Sequence, residues 1–231
     1  MSLYFDIHSH QKRKLETPFA RCNNISQLDF VNFENLSKQT NQFYSAGLHP
    51  WYINEKNWES DLDRLTDLLK NKNVIALGEC GLDALRGEGM KLQEKVFIEQ
   101  IKLAEKFNVP VVVHCVKAYN ELIKIVKVQK TKTPLIVHGF QSRASVLKSL
   151  INAGFYISVG AAVLKNYKIN WREILDMIPN DFLFLETDDS TENIELIYER
   201  VAALKKIPVE MLQNKILDNA YQNFNRTLID F

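Results

Sequence analysis

Each of the five histidines in this chain stands at the end of an apolar, strand-like run, and that coincidence restricts the fold more than any other feature of the sequence. The runs are Leu3 to Ile7 before His8 and His10, Phe43 to Leu48 before His49, Val111 to Val113 before His114, and Leu135 to Val137 before His138. Two further runs, Val74 to Gly78 and Phe182 to Leu185, stop at Glu79 and at Glu186-Thr187-Asp188. Strands that are continuously apolar rather than alternating belong to a sheet covered on both faces, as parallel sheets are. Imidazoles and carboxylates collected at the ends of such strands are candidate metal ligands.

Helical patterns separate the runs. From Met90 to Asn108 the residues Phe97, Ile101 and Ala104 recur at three- and four-residue spacing, with lysines and glutamates between them, and Val109-Pro110 ends the pattern. Similar helices are expected at Asn57 to Lys70, Tyr119 to Gln129, Ser142 to Asn152, Trp171 to Met177 and Glu192 to Leu204. With strands also around Ala20 to Ile25 and Phe155 to Val159, the alternation predicts an α/β fold, a TIM (β/α)8-type barrel spanning residues 1–231 as one domain. An open doubly wound sheet is the rival, but ligands from six different strands can converge only if the sheet closes and brings every strand end to one mouth. The Asn/Gln-rich stretch Gln11 to Gln42, with only Asp29 to Lys38 helical in pattern, is too short for two full strand–helix units. The barrel is therefore expected to be reduced near the N-terminus.

Charge and cysteine content exclude several classes. The chain has 29 Lys and Arg against 28 Asp and Glu, which lacks the basic footprint of a high-affinity duplex DNA binder. Cys22, Cys80 and Cys115 have no CxxC spacing and no apolar leader precedes them, which points to a cytoplasmic, reducing setting. No run approaches the roughly 18 apolar residues of a membrane span, so no membrane partner is expected. No obligate protein partner is evident.

His8 and His10, two residues apart on a strand, project to the same face and can share one ion. Asp188, ending the last strand, would lie beside the first strand in a closed barrel and complete that site. His114 and His138 end neighbouring strands and could hold a second ion, while Glu79 has two oxygens with which to bridge both. Two metals about 3.5–4 Å apart bring the ionisation of water toward neutral pH and stabilise both oxygens of a displacement, so hydrolysis is the implied reaction. Asp188 could also take the proton from the attacking water. The histidine-rich set suits Zn or Mn, with Mg a harder, oxygen-preferring alternative. A cap would also use the carboxylates of Glu79 and Asp188, and a tight turn would use Gly78 and Gly81, but neither accounts for histidines at the other strand ends. Cys80 and Cys115 face away from their ligand neighbours and read as core.

These motifs together resemble the TatD family of metal-dependent hydrolases within the amidohydrolase-like TIM barrels. The resemblance is carried by Asp6-Ile7-His8-Ser9-His10, Gly47-Leu48-His49-Pro50, Gly78-Glu79-Cys80-Gly81-Leu82-Asp83, Gln93 to Phe97, Val109 to His114, His138-Gly139-Phe140, Gly154 to Ser158 and Glu186-Thr187-Asp188, with Asn219 to Phe224 similar to the family's closing helix. It implies a deoxyribonuclease or other phosphodiesterase with two divalent ions, held by His8, His10, Glu79, His114, His138 and Asp188, and with His49 contacting substrate. DNA or a smaller phosphodiester would be the partner. Three departures bear on the substrate. Val116 stands where the family usually has Arg, with Lys117 one place later, and Asp189-Ser190 replaces the usual Ser-Pro, adding negative charge near a bound phosphate. The segment between His10 and His49 is shortened. Arg86, in the Gly87/Gly89 loop, could place a positive charge over the mouth. The alternatives are amidohydrolase-type cleavage of a C–N or ester bond and a catalytically inactive metal-binding barrel.

Overall fold

The structure, a computed structural model, describes residues 4–10, 19–26, 30, 43–165 and 168–224. Eight parallel strands follow one another in sheet order: β1 (Tyr4–Ser9), β2 (Phe19–Ser26), β3 (Phe43–Gly47), β4 (Val74–Asp83), β5 (Val111–Val116), β6 (Leu135–Val137), β7 (Tyr156–Val159) and β8 (Leu183–Leu185). Helices α1 (Trp58–Leu68), α2 (Met90–Phe107), α3 (Tyr119–Gln129), α4 (Ala144–Asn152), α5 (Ala162–Lys165), α6 (Trp171–Met177), α7 (Ile194–Lys205) and α8 (Val209–Asn223) occupy the connections and the C-terminal end. The sheet order rules out the doubly wound alternative, in which the strand order reverses part-way.

Closure is visible between β1 and the end of β8. Ser9 and Asp188 form a parallel bridge, the Asp188 amide donates to the His8 carbonyl at 3.0 Å, and the His10 amide donates to the Asp188 carbonyl at 3.2 Å. Buried Asp6 reinforces the seam, accepting from the Thr187 amide at 3.0 Å and the Thr187 hydroxyl at 2.7 Å. From outside, α7 and α8 clamp it. The Tyr198 hydroxyl donates to the Phe5 carbonyl at 2.9 Å, and the Asn219 amide donates to the carbonyls of Asn180 and Leu183.

The core forms as the continuous runs require: Val111, Val112, Val113, Leu183, Phe184 and Leu185 are all fully buried, and Leu135, Ile136 and Val137 nearly so. Helix α2 buries Phe97, Ile101 and Ala104, and its last turn closes on Asn108 in the left-handed conformation. The helix expected at Asp29 to Lys38 falls mostly outside the described residues; Phe30, the one residue of it described, is buried.

One element differs from expectation. The run from Val74 is expected to stop at Glu79, with Gly78 and Gly81 in a tight turn, but β4 runs on to Asp83, with a shift in its register to β5 between Leu77 and Cys80. Both glycines have positive φ, and a Cβ would stand 2.3 Å from the Val112 carbonyl at Gly78 and 2.1 Å from the His114 carbonyl at Gly81. Glycine is required because the irregular strand presses against β5, not because the chain turns.

Candidate active site

At the mouth of the barrel the side chain of Glu79 lies amid all five histidines. Its Oε2 is 3.4 Å from Nε2 of His8 and 3.4 Å from Nε2 of His10. Its Oε1 is 2.9 Å from Nε2 of His49, 2.8 Å from Nδ1 of His114 and 2.9 Å from Nε2 of His138. One carboxylate thus turns each oxygen toward a separate set of imidazoles. Burial alone would raise its pKa, but the charge of His138 and hydrogen bonds from His10, His114 and His138 hold it well below the usual carboxylate range. It is a largely buried anion.

Asp188 adds a second carboxylate oxygen on the β1 side, Oδ1, at 3.7 Å from Nε2 of His8 and 3.6 Å from Nε2 of His10. Its side chain is 37 % exposed against 6 % for Glu79, so it faces the open mouth. Burial and the nearby charge of Glu186 push its pKa up. The left-handed backbone at Asp188, fixed by the bridge to Ser9, aims the side chain, and helix α7 is preceded instead by Asn193. Asp188 is thus not the cap of that helix.

These residues fit a divalent ion best on the β1 side. Ligands about 2.1 Å from a tetrahedral cation stand roughly 3.4 Å apart, and the Nε2 atoms of His8 and His10 meet the Glu79 and Asp188 oxygens at 3.4 to 3.7 Å. His8 is fully buried, yet among the described residues neither of its ring nitrogens has a hydrogen-bond partner, which suits a ligand nitrogen better than a satisfied core imidazole. On the other side His49, Glu79 and His114 form a group whose ligand atoms lie within 4.8 Å of one another. Their 2.8–2.9 Å contacts are hydrogen bonds, so the atoms would separate by about half an ångström to share an ion. His138 belongs to two groups, with His8 and Glu79 and with Glu186 and Asp188.

All seven residues named from the sequence converge, though their grouping is less simple than the expected pairs. His114 and His138 meet at one Glu79 oxygen, and His49, expected as a substrate contact alone, stands as close to Glu79 as they do. Cys80 and Cys115 are free and buried, and burial raises the Cys80 thiol well above its usual pKa and the Cys115 thiol to about 12, so neither offers a thiolate.

A family model, TatD related DNase, matches residues 6–225. The chain belongs to that family. A relative from Haemophilus influenzae, named an uncharacterized metal-dependent hydrolase, is 29 % identical over 223 residues, covering 87 % of this chain and 85 % of that protein. A 3'-5' ssDNA/RNA exonuclease TatD from Pantoea ananatis is 33 % identical over 148 residues, 62 % of this chain and 56 % of that protein. Among solved structures, the TatD homologue YjjV from Escherichia coli superposes with a TM-score of 0.83 at 22 % identity, over 96 % of this chain and 98 % of its own.

Beyond the seven, this TatD-family site brings in Asp83 and Gln93, to which the sequence reading gave no role, and Glu186, which it placed at a strand end without assigning it to either ion. Asp83 is buried and its Oδ2 accepts from Nε2 of His114 at 3.1 Å and from the Trp51 indole at 2.5 Å, while Oδ1 accepts from the amides of Leu85 and Arg86. Glu186, fully buried, accepts from the Gly139 amide at 2.5 Å and lies 3.7 Å from Nδ1 of His138. Gln93, on α2, accepts from the Asp83 amide at 2.7 Å and donates to the carbonyls of Asp83, Arg86 and Glu88. Glu186 was within reach of the two-residue spacing applied to His8 and His10, because Glu186 and Asp188 are also two apart. The contacts of Asp83 and Gln93 cross between elements, and no local spacing announces them.

Proposed function

We propose that this chain hydrolyses phosphodiester bonds with two divalent cations, Zn, Mn or Mg, held on either side of Glu79, and that its substrates are DNA or smaller phosphodiesters. The observation that carries the proposal is Glu79 itself: a buried carboxylate whose two oxygens face two separate sets of histidines, the arrangement a bridging ligand requires. His8, His10 and Asp188 would hold one cation, and His114 and His138, with His49 adjacent, the other. When bound, such a pair supplies Lewis acidity, promoting the ionisation of water and stabilising charge on the attacking and departing oxygens.

The protein's own groups divide the remaining work. Asp188, at the open mouth and with its pKa pushed up, is placed to accept a proton from the attacking water. Asp83 orients His114 through Nε2, and Glu186 lies behind His138, so each imidazole turns its other nitrogen toward Glu79. The names of the relatives support the reading, with metal-dependent hydrolase in one case and single-strand exonuclease in another. No described helix is long and apolar enough to cross a membrane, and the buried free thiols suit a cytoplasmic protein.

The test is metal-supplemented hydrolysis of a generic phosphodiester, single-stranded DNA and a panel of small amides, run beside Asp188→Ala. Phosphodiester cleavage that this variant loses is expected. Cleavage of the amides alone would overturn the proposal in favour of C–N bond hydrolysis.

A further inference from the structure

Two large aromatic rings that the core does not use stand beside the metal-ligand cluster. Trp58 and Trp171 are buried, but Trp51 is 36 % and Tyr52 42 % exposed, directly after His49. The Trp51 ring centroid is 4.8 Å from that of His49 and 5.7 Å from that of His114, and the Tyr52 centroid is 5.5 Å from that of His49. Trp51 and Tyr52 meet nearly at right angles, 6.3 Å between centroids, and form a corner at the edge of the site.

The corner is built rather than incidental. The buried Asp83 carboxylate fixes the Trp51 indole through its N–H, and the Arg86 guanidinium lies 4.2 Å from the centroid of the same ring. Arg86 is held there by its loop: the Gln93 side chain ties the loop through three carbonyls, and the Arg86 amide donates to Asp83. Gly87 seats the loop on the Trp51 segment, since at its φ of +84° a Cβ would stand 2.3 Å from the Pro50 carbonyl. The result is a fixed Trp51 ring, with Tyr52 standing against it, and a planar, weakly hydrated cation next to the candidate hydrolytic centre.

We propose that Trp51, Tyr52 and Arg86 form a subsite for an unpaired nucleobase of a single-stranded polynucleotide, the base stacking in the aromatic corner and the guanidinium meeting an adjacent phosphate. This rests on the phosphodiester reading above and adds to it the form of the substrate. A base must be unstacked from its neighbours to lie on an aromatic ring, so the corner selects single strands over duplex. Arginine suits the third position because it can stack by its face while its edge donates to phosphate oxygens. The charge lies on the β4 side of the mouth, away from the exposed carboxylate of Asp189.

The test separates binding from cleavage. Binding of a labelled oligothymidylate and of an abasic strand of equal length and charge is measured by fluorescence anisotropy on Asp188→Ala with Mn²⁺, in this background and with Tyr52→Ala, Trp51→Ala or Trp51→Phe added. The base-bearing strand is expected to bind about 5- to 100-fold more tightly than the abasic one. Tyr52→Ala and Trp51→Ala should reduce that ratio, whereas Trp51→Phe, which keeps an aromatic face but loses the N–H to Asp83, should retain most of it. A structural role for Trp51 would weaken both strands alike and leave the ratio unchanged. Equal or undetectable binding of the two strands overturns the subsite. Base-dependent binding by a protein whose Asp188-bearing form cleaves no phosphodiester would uphold the subsite and overturn the hydrolytic reading.

Discussion

Replacing Asp83 with asparagine alters the shape of the site scarcely at all and removes one capacity, that of accepting hydrogen bonds on both ends. In the structure Oδ1 accepts from the amides of Leu85 at 2.8 Å and Arg86 at 3.1 Å, and Oδ2 from Trp51 Nε1 at 2.5 Å and His114 Nε2 at 3.1 Å. Burial alone would raise this carboxyl, but the hydrogen bonds from Trp51, Leu85 and His114 hold its pKa below the usual value. It is an ionised acceptor surrounded by donors. An asparagine oxygen can serve only one side, so its amide nitrogen must face either two backbone N–H groups or the Trp51 and His114 N–H groups. Hydrogen bonds to a charged group contribute about 1.5–3 kcal/mol each, and two are lost, which gives a destabilisation of roughly 3–6 kcal/mol. The functional consequence passes through His114. With the amide nitrogen facing His114 there is no acceptor at Nε2 to hold the proton there and present Nδ1 as the ligand atom of the neutral ring, and loss of such an orienting partner lowers metal affinity about 10- to 100-fold. Isothermal titration with Zn²⁺ or Mn²⁺ reads the affinity, and urea unfolding of the metal-free protein reads the stability. Asp83→Asn that binds metal as tightly as the parent would refute the orienting role, whatever its stability.

Other outcomes follow from the same contacts. Asp6→Ala leaves the buried Thr187 amide and hydroxyl without their acceptor at the barrel seam, so a loss of about 2–4 kcal/mol in urea unfolding is expected, and a loss below about 0.5 kcal/mol would show that the seam holds without it. For His138 burial alone would lower the pKa, but the charges of Glu79 and nearby Glu186 and the hydrogen bond to Glu79 raise it well above normal; His10 is raised likewise, by Glu79 and the Asp189 and Asp188 charges against burial. A raised folded-state pKa gives stability that is fully present below the unfolded value of about 6.5 and is lost as pH climbs through the folded value. The metal-free protein should therefore melt at a lower temperature at about pH 8 than at about pH 6, while metal affinity changes in the opposite sense because the ligand imidazoles must be neutral. Thermal melts with and without EDTA test this, and a metal-free protein that gains stability toward pH 8 contradicts it.

Most of the barrel was legible because its signals are local. Continuous apolar runs mark β5, β6 and β8, shorter apolar stretches mark most of the others, and the spacing of Phe97, Ile101 and Ala104 marks a helix whose boundaries differ from expectation by a single residue. The site was legible for a related reason: in a closed parallel barrel every strand end points to one mouth, so a residue's place in its run gives its place in space. Where packing between elements decides, the sequence was silent. Gly78 and Gly81 read as a turn because nothing local distinguishes a tight turn from a strand pressed against its neighbour. Asp83, four residues beyond Glu79, works through Trp51 and His114, contacts that appear only once β3, β4 and β5 lie side by side.

The central claim, that Glu79 joins two cations, is tested most directly by counting them. Elemental analysis of the purified protein equilibrated with excess Zn²⁺ or Mn²⁺ should find two ions per chain, and Glu79→Gln, correctly folded by circular dichroism, should retain at most one. Saturation at a single ion, or a Glu79→Gln protein that still holds two, would contradict the bridged centre.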